Sequence, residues 1–127
     1  MLIGIDRRLS PDLLHALASM GHGDQIALVD ANYPAAAQAT RLIRADGLGL
    51  VDMLSAVLSV MPIERAVMPD ADRPIHKKIQ QSCNISVEAL GNTEFYSAVR
   101  ESFATVATGE PALYGNVVLT KAAIGNA

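Results

Sequence analysis

The sequence predicts an α/β layer fold in a single domain spanning residues 1–127. Three observations carry that reading. Segments with a helical apolar stripe alternate with short apolar runs of strand length along most of the chain. The run Ile26–Val29 in "QIALVD" holds four consecutive apolar residues, which suits a strand covered on both faces. At 127 residues, with no repeat, low-complexity tract or linker, one domain is the default.

Each element has a local reason. In "SPDLLHALASMG", Ser10 is an N-cap and Pro11 suits the first turn, where no N–H is needed. Leu13, Leu14, Leu17 and Met20 form the apolar stripe, and Gly21 is expected to end the helix in a left-handed conformation. "QIALVD" follows as a strand, and "ATRLIRA" as a weaker one. "VDMLSAVLSVM" reads as a helix with Met53, Leu54, Val57, Leu58 and Met61 on one face, closed by Pro62. "ERAVM" reads as a strand, and "RPIHKKIQQSC" as a polar helix buried along Ile75 and Ile79. "PDADRP", residues 69–74, is the most loop-like stretch. "ISVEAL" alternates as a strand does. "NTEFYSAVRES" is an amphipathic helix with Phe95 and Val99 inward and Asn92 in the position of a cap. "FATVAT" and "YGNVVLTKA" close the chain as two strands around a Gly-Glu-Pro turn.

Composition excludes several functions. Net charge is −3 with no basic stripe, and there is no tryptophan, so neither phosphate-backbone binding nor base stacking is expected. No apolar run approaches a membrane span. "MLIGIDRRLSPD" lacks the order of a signal peptide, which points to the cytoplasm. The one cysteine, Cys83, excludes an internal disulfide and reads as a small buried hydrophobe. Half the residues are apolar, which is rich for so short a chain and favours subunit association.

The residues with chemical potential lie between the elements. His22 sits between two glycines in "MGHGD", where an unobstructed imidazole can donate or accept a proton near neutral pH. An ordinary turn histidine fits that spacing too. Asp30 ends the "IALV" strand, where ligands of α/β sheets collect and where an Asx turn would also place it. The two lie at opposite ends of one strand, so a shared site requires a second subunit or a loop folded backward. "RADG" reads as an Arg44–Asp46 pair at a strand exit, and Glu110 of "TGE" as a capping or pairing group. Tyr114 and Asn116 of "YGN" can hydrogen-bond a polyol. His15 reads as a helix-surface residue, and His76, beside two lysines, as a solvated one. The histidines and the cysteine show no metal-ligand spacing, and no phosphate loop or dinucleotide fingerprint is present.

Taken in order, "LLHALASMGHGDQIALVDANYP", "IRADGL", "EFYSAVRESFATVATGE" and "YGNVVL" closely resemble the RbsD/FucU family of sugar mutarotases, in particular its fucose branch. The resemblance runs from about Leu9 to Lys121. It implies a three-layer α/β/α fold around a mixed sheet, assembly into pentameric rings or decamers, and sites at subunit contacts. It further implies His22 as the acid/base residue, and Asp30, Tyr114 and Asn116 as sugar-binding residues; by its own chemistry the Tyr114 phenol can serve either as the second proton donor or only to position a hydroxyl. Members usually carry an arginine or histidine where this chain has Asn92, an uncharged amide that can still hydrogen-bond a sugar hydroxyl or serve only as the helix cap. The stretch 64–84 is also shorter than in the fucose branch. Interconverting α and β anomers needs one group to take the anomeric proton and another to protonate the ring oxygen, and no cofactor or metal. A sugar-binding or regulatory protein without turnover, a ribose-type pyranase and a purely structural ring are the alternatives.

Overall fold

The computed structural model describes residues 1–125. Six strands form one sheet: β1 (Gln25–Val29), β2 (Leu42–Ala45), β3 (Ile63–Pro69), β4 (Val87–Leu90), β5 (Ala104–Thr108) and β6 (Val117–Lys121). Their order is β2-β5-β1-β6-β3-β4. Strand β6 runs antiparallel to both its neighbours, and every other pairing is parallel. The carboxyl ends of five strands and the amino end of β6 therefore meet at one edge of the sheet.

Helices cover both faces, giving the three layers. On one side, α1 (Pro11–Ser19), α3 (Leu50–Leu58) and α4 (Pro74–Ser82) pack with Ile26, Leu28, Val106 and Leu119 in the larger core. On the other side, α2 (Ala35–Gln38) and α5 (Asn92–Arg100) cover Ala27, Val29, Val67, Ala107 and Val118. Strand β1 supplies both cores by alternation, and its four apolar residues Ile26–Val29 are fully buried. Burying a side chain such as Leu54 or Phe95 contributes about 1.5–3 kcal/mol. The edge strands β2 and β4 carry charge instead, with Arg44 paired to Asp46 at 2.9 Å and Arg65 to Glu88 at 2.8 Å.

The helix ends depart from expectation in instructive ways. Ser10 does cap α1, accepting from the Leu13 N–H at 3.2 Å. Gly21 is not the left-handed stop; Met20 turns the chain extended, and the positive φ of 89° falls on Gly23. No left-handed turn is needed there, because the Lys121 ammonium takes the orphan carbonyls of Leu17 and Met20 at 2.8 and 2.6 Å. Helix α3 ends at Leu58, four residues before Pro62, although Met61 remains buried beyond it. Asn92 is not a cap; Gly91 holds that position, and Asn92 is the first helical residue of α5. The one-turn helix α2 has no counterpart in the sequence reading: Ala35, Ala36 and Ala37 carry no amphipathic stripe to reveal it.

Candidate functional site

The crowded edge of the sheet carries a cleft of about 210 Å³, lined by Asp30, Tyr33, Asn92, Phe95, Tyr114 and Asn116 among others. Four of the five residues singled out from the sequence thus meet in one place, brought there by the ends of β1 and β4 and the start of β6. Asp30 and Asn116 form its buried floor. The Asn116 carboxamide oxygen accepts from the Asp30 N–H at 2.7 Å, tying the exit of β1 to the start of β6. The Asp30 carboxylate also accepts from the Asn32 N–H at 2.9 Å, so the Asx turn forms while the residue still lines the cleft. Burial pushes the Asp30 carboxyl up from its ordinary range; hydrogen bonds from the Asn32, Tyr33 and Gly115 backbone and the Asn116 side chain pull it back down.

Tyr114 and Asn92 stand on the rim, exposed, and each can donate to and accept from a hydroxyl. Tyr114 sits at φ 60°, a left-handed conformation that costs a bulky residue of order 1–3 kcal/mol. Gly115 follows where a Cβ would press against the Ala112 carbonyl and the Ile75 side chain at 3.0 Å each. One wall is aromatic. Tyr33 stands edge-on to Phe95 and to Tyr96, with ring centroids 6.5 and 5.5 Å apart. Tyr33 is no proton carrier: its hydroxyl donates to Gln38 Oε1 at 2.6 Å, and burial pushes its phenol well up.

His22 is elsewhere. It lies in the turn before β1, at the opposite edge of the sheet, separated from Asp30 by at least a five-residue strand of roughly 17 Å. The loop does not fold backward. The imidazole is exposed, and its Nε2 lies 2.9 Å from Glu64 Oε1 at the start of β3. Glu64 was not visible as a partner in the sequence, where 42 positions separate the pair.

The remaining expectations divide. Arg44–Asp46 and buried Cys83 are as expected. Glu110 does cap: its Oε1 accepts from the Leu50 N–H of α3 at 3.0 Å, and its Oε2 from the Ala112 N–H at 3.1 Å. His15 is on the surface. His76 is not solvated; it is 5 % exposed, and its Nε2 donates to the Tyr114 carbonyl at 2.8 Å. Lys77 and Lys78 do point outward, but α4 turns His76 inward beside Ile75. Sequence reasoning also missed the cleft roles of Tyr33 and Tyr96; Tyr96 adjoins inward-facing Phe95, one position off the buried stripe.

Residues 3–124 match the RbsD / FucU transport protein family. The chain belongs to that family. This RbsD/FucU chain is 41 % identical to the fucose mutarotase of Mus musculus, over 94 % of its own length and 93 % of that protein. It is 40 % identical to the fucose mutarotase of Homo sapiens, over 94 % and 92 %. The mouse alignment takes 142 positions to accommodate 94 % of this chain, so that relative is longer within the aligned stretch. Among solved structures, the fucose mutarotase of Streptococcus pneumoniae in complex with L-fucose superposes with a TM-score of 0.92 at 34 % identity, covering 98 % of this chain and all of that one.

Proposed function

We propose that this chain is a cytoplasmic sugar mutarotase that interconverts the α and β anomers of L-fucose or a closely similar monosaccharide. The observation that carries it is the pair of fucose mutarotases matched at 40–41 % identity over nearly the whole chain. The cleft supports the reading chemically. A buried carboxylate, two amides and a phenol around an aromatic wall offer donors and acceptors for a polyol and an apolar face for its C–H side.

A complete site in this proposal joins the cleft of one copy to His22 of a neighbouring copy, in a closed ring of five or in two such rings stacked. The placement of His22 and Asp30 at opposite edges supports a head-to-tail contact. Asp30 and Asn116 fix the pyranose, and Asn92 contacts one further hydroxyl. The neighbour's imidazole takes the anomeric hydroxyl proton as the bond from the anomeric carbon to the ring oxygen breaks. The ring oxygen gains a proton, from Tyr114 in this assignment. The aldehyde rotates, and the reverse transfers close the ring on its other face. Nothing is oxidised and no group departs. Glu64 holds the imidazole ready, as a carboxylate behind a general base. Such proton transfers contribute about 10²–10⁴-fold each.

Saturation transfer between the α and β anomeric protons of equilibrated L-fucose, with catalytic protein, tests the function. Enhanced exchange is expected. Asn92, an uncharged amide where the family resemblance implies an arginine or histidine, favours a second reading: sugar binding without turnover. Ligand-detected binding with no enhanced exchange would establish that reading. Running D-ribose in parallel, scored for pyranose–furanose exchange, separates a pyranase.

A further inference from the structure

His76 lies outside the cleft yet reaches it. Its ring is buried in the first turn of α4, between two partners that each allow one role. The Arg73 N–H can only donate, so Nδ1, 3.2 Å away, accepts and carries no proton. The Tyr114 carbonyl can only accept, so Nε2, 2.8 Å away, carries the proton. Geometry alone thus selects the tautomer. The same Tyr114 carbonyl accepts a second hydrogen bond, from the Asn116 N–H at 2.9 Å. Arg73 also reaches Tyr114, its guanidinium carbon 5.3 Å from the ring centroid. The start of α4 therefore grips this residue at both ends, at a position where φ is 60°.

We propose that His76 is a positioning residue: it holds Tyr114 in its left-handed conformation and so aims the phenol, and through the shared carbonyl the Asn116 floor, into the sugar cleft. The inference rests on the reading of that cleft as the sugar site. It does not rest on the helix cap, which is the other half of what His76 does. The two halves are separable, because glutamine places an amide nitrogen near imidazole Nε2, whereas asparagine places its carbonyl oxygen near Nδ1.

The test compares His76→Gln and His76→Asn with the wild type for fold by circular dichroism, anomer exchange of L-fucose, and the Cα chemical shift of ¹³C-labelled Tyr114, which reports backbone conformation. The glutamine variant is expected to keep the Tyr114 shift and an exchange rate within about threefold of wild type. The asparagine variant, folded through its retained cap, is expected to move that shift and lose about tenfold or more in exchange, the loss of one hydrogen bond to the backbone that carries the phenol. The loss should fall on kcat more than on KM if Tyr114 transfers a proton. Equal behaviour of two folded variants, in shift and in exchange, overturns the proposal. If the asparagine variant does not fold, the glutamine variant decides alone: a wild-type Tyr114 shift upholds the clamp and a displaced one overturns it. Absence of exchange in the wild type would sink the mutarotase reading but leave the Tyr114 shift to judge the clamp.

Discussion

At the scale of the residue, the proposed chemistry rests on groups whose surroundings differ sharply. His22 is exposed and touches no core, so His22→Ala should leave the thermal midpoint almost unchanged while reducing anomer exchange by about 10²–10⁴-fold. Saturation transfer beside a melting curve checks both halves. Asp30 is the reverse case, because burial raises its carboxyl above 3.8 in the folded chain. The native state then holds a proton that the unfolded chain releases first, so this carboxyl contributes a loss of stability as pH rises from 3.8 toward its folded value. Relative to Asp30→Asn, the wild-type melting temperature should therefore fall across that window and level off above it. A parallel pH series of melting curves checks the sign. Which of these groups were legible beforehand follows from how far their partners lie in sequence. Asp30 and Tyr114 are visible because strand ends and turns advertise them locally. Glu64 and Arg73 act through space on residues 42 and 41 positions away, and nothing in the linear pattern announces that. His76 was hidden for another reason: the two lysines after it suggested a polar face, whereas the helical turn places it with Ile75 and Ile79.

At the scale of the element, apolar period located nearly every helix and strand, while helix ends depended on distant side chains. Gly49 holds the N-cap position of helix α3 with no side chain to cap with, and Glu110 does the capping from 60 residues away. Replacing Glu110 by alanine strands the N–H groups of Leu50 and Ala112 together and is expected to cost about 1–3 kcal/mol. Glutamine, which keeps one acceptor, should cost less; urea denaturation ranks the two. The loop before it is equally constrained. A Cβ on Gly109 would run into the Asp46 backbone carbonyl, so Gly109→Ala must shift either the β2 exit or the β5 exit. That variant should lose about 1–3 kcal/mol by the same measurement and weaken sugar binding, since β5 is paired directly to β1 and the Glu110 carbonyl, next to Gly109, accepts from the Ala31 N–H beside Asp30. Lys121 provides the matching lesson at the other end of α1: a strand residue closes a helix that the sequence expects a glycine to close.

At the scale of the whole molecule, the alternation of elements was enough to foresee an α/β layer structure, and the family resemblance supplied the three layers and the mixed sheet. Periodicity could not have supplied them, because the strand order β2-β5-β1-β6-β3-β4 depends on pairings between distant segments. That order gives the chain two unlike poles, one with the cleft and one with His22 and Glu64. Complementation tests the proposed sharing between copies. Chains carrying His22→Ala and chains carrying Asp30→Asn, each inactive alone, should regain about a quarter of wild-type exchange when co-assembled in equal amounts, since one contact in four pairs an intact cleft with an intact imidazole. No recovery in demonstrably mixed assemblies would place the acid/base group within the cleft's own chain.

The two poles also govern what partial assembly is worth. Under the proposed sharing, each chain lends one functional group and borrows another, so n chains in a closed circuit complete n reaction centres. The same n chains in an open row complete n − 1, and a solitary chain completes none. Loop closure, rather than folding, would then be the step that switches the last centre on.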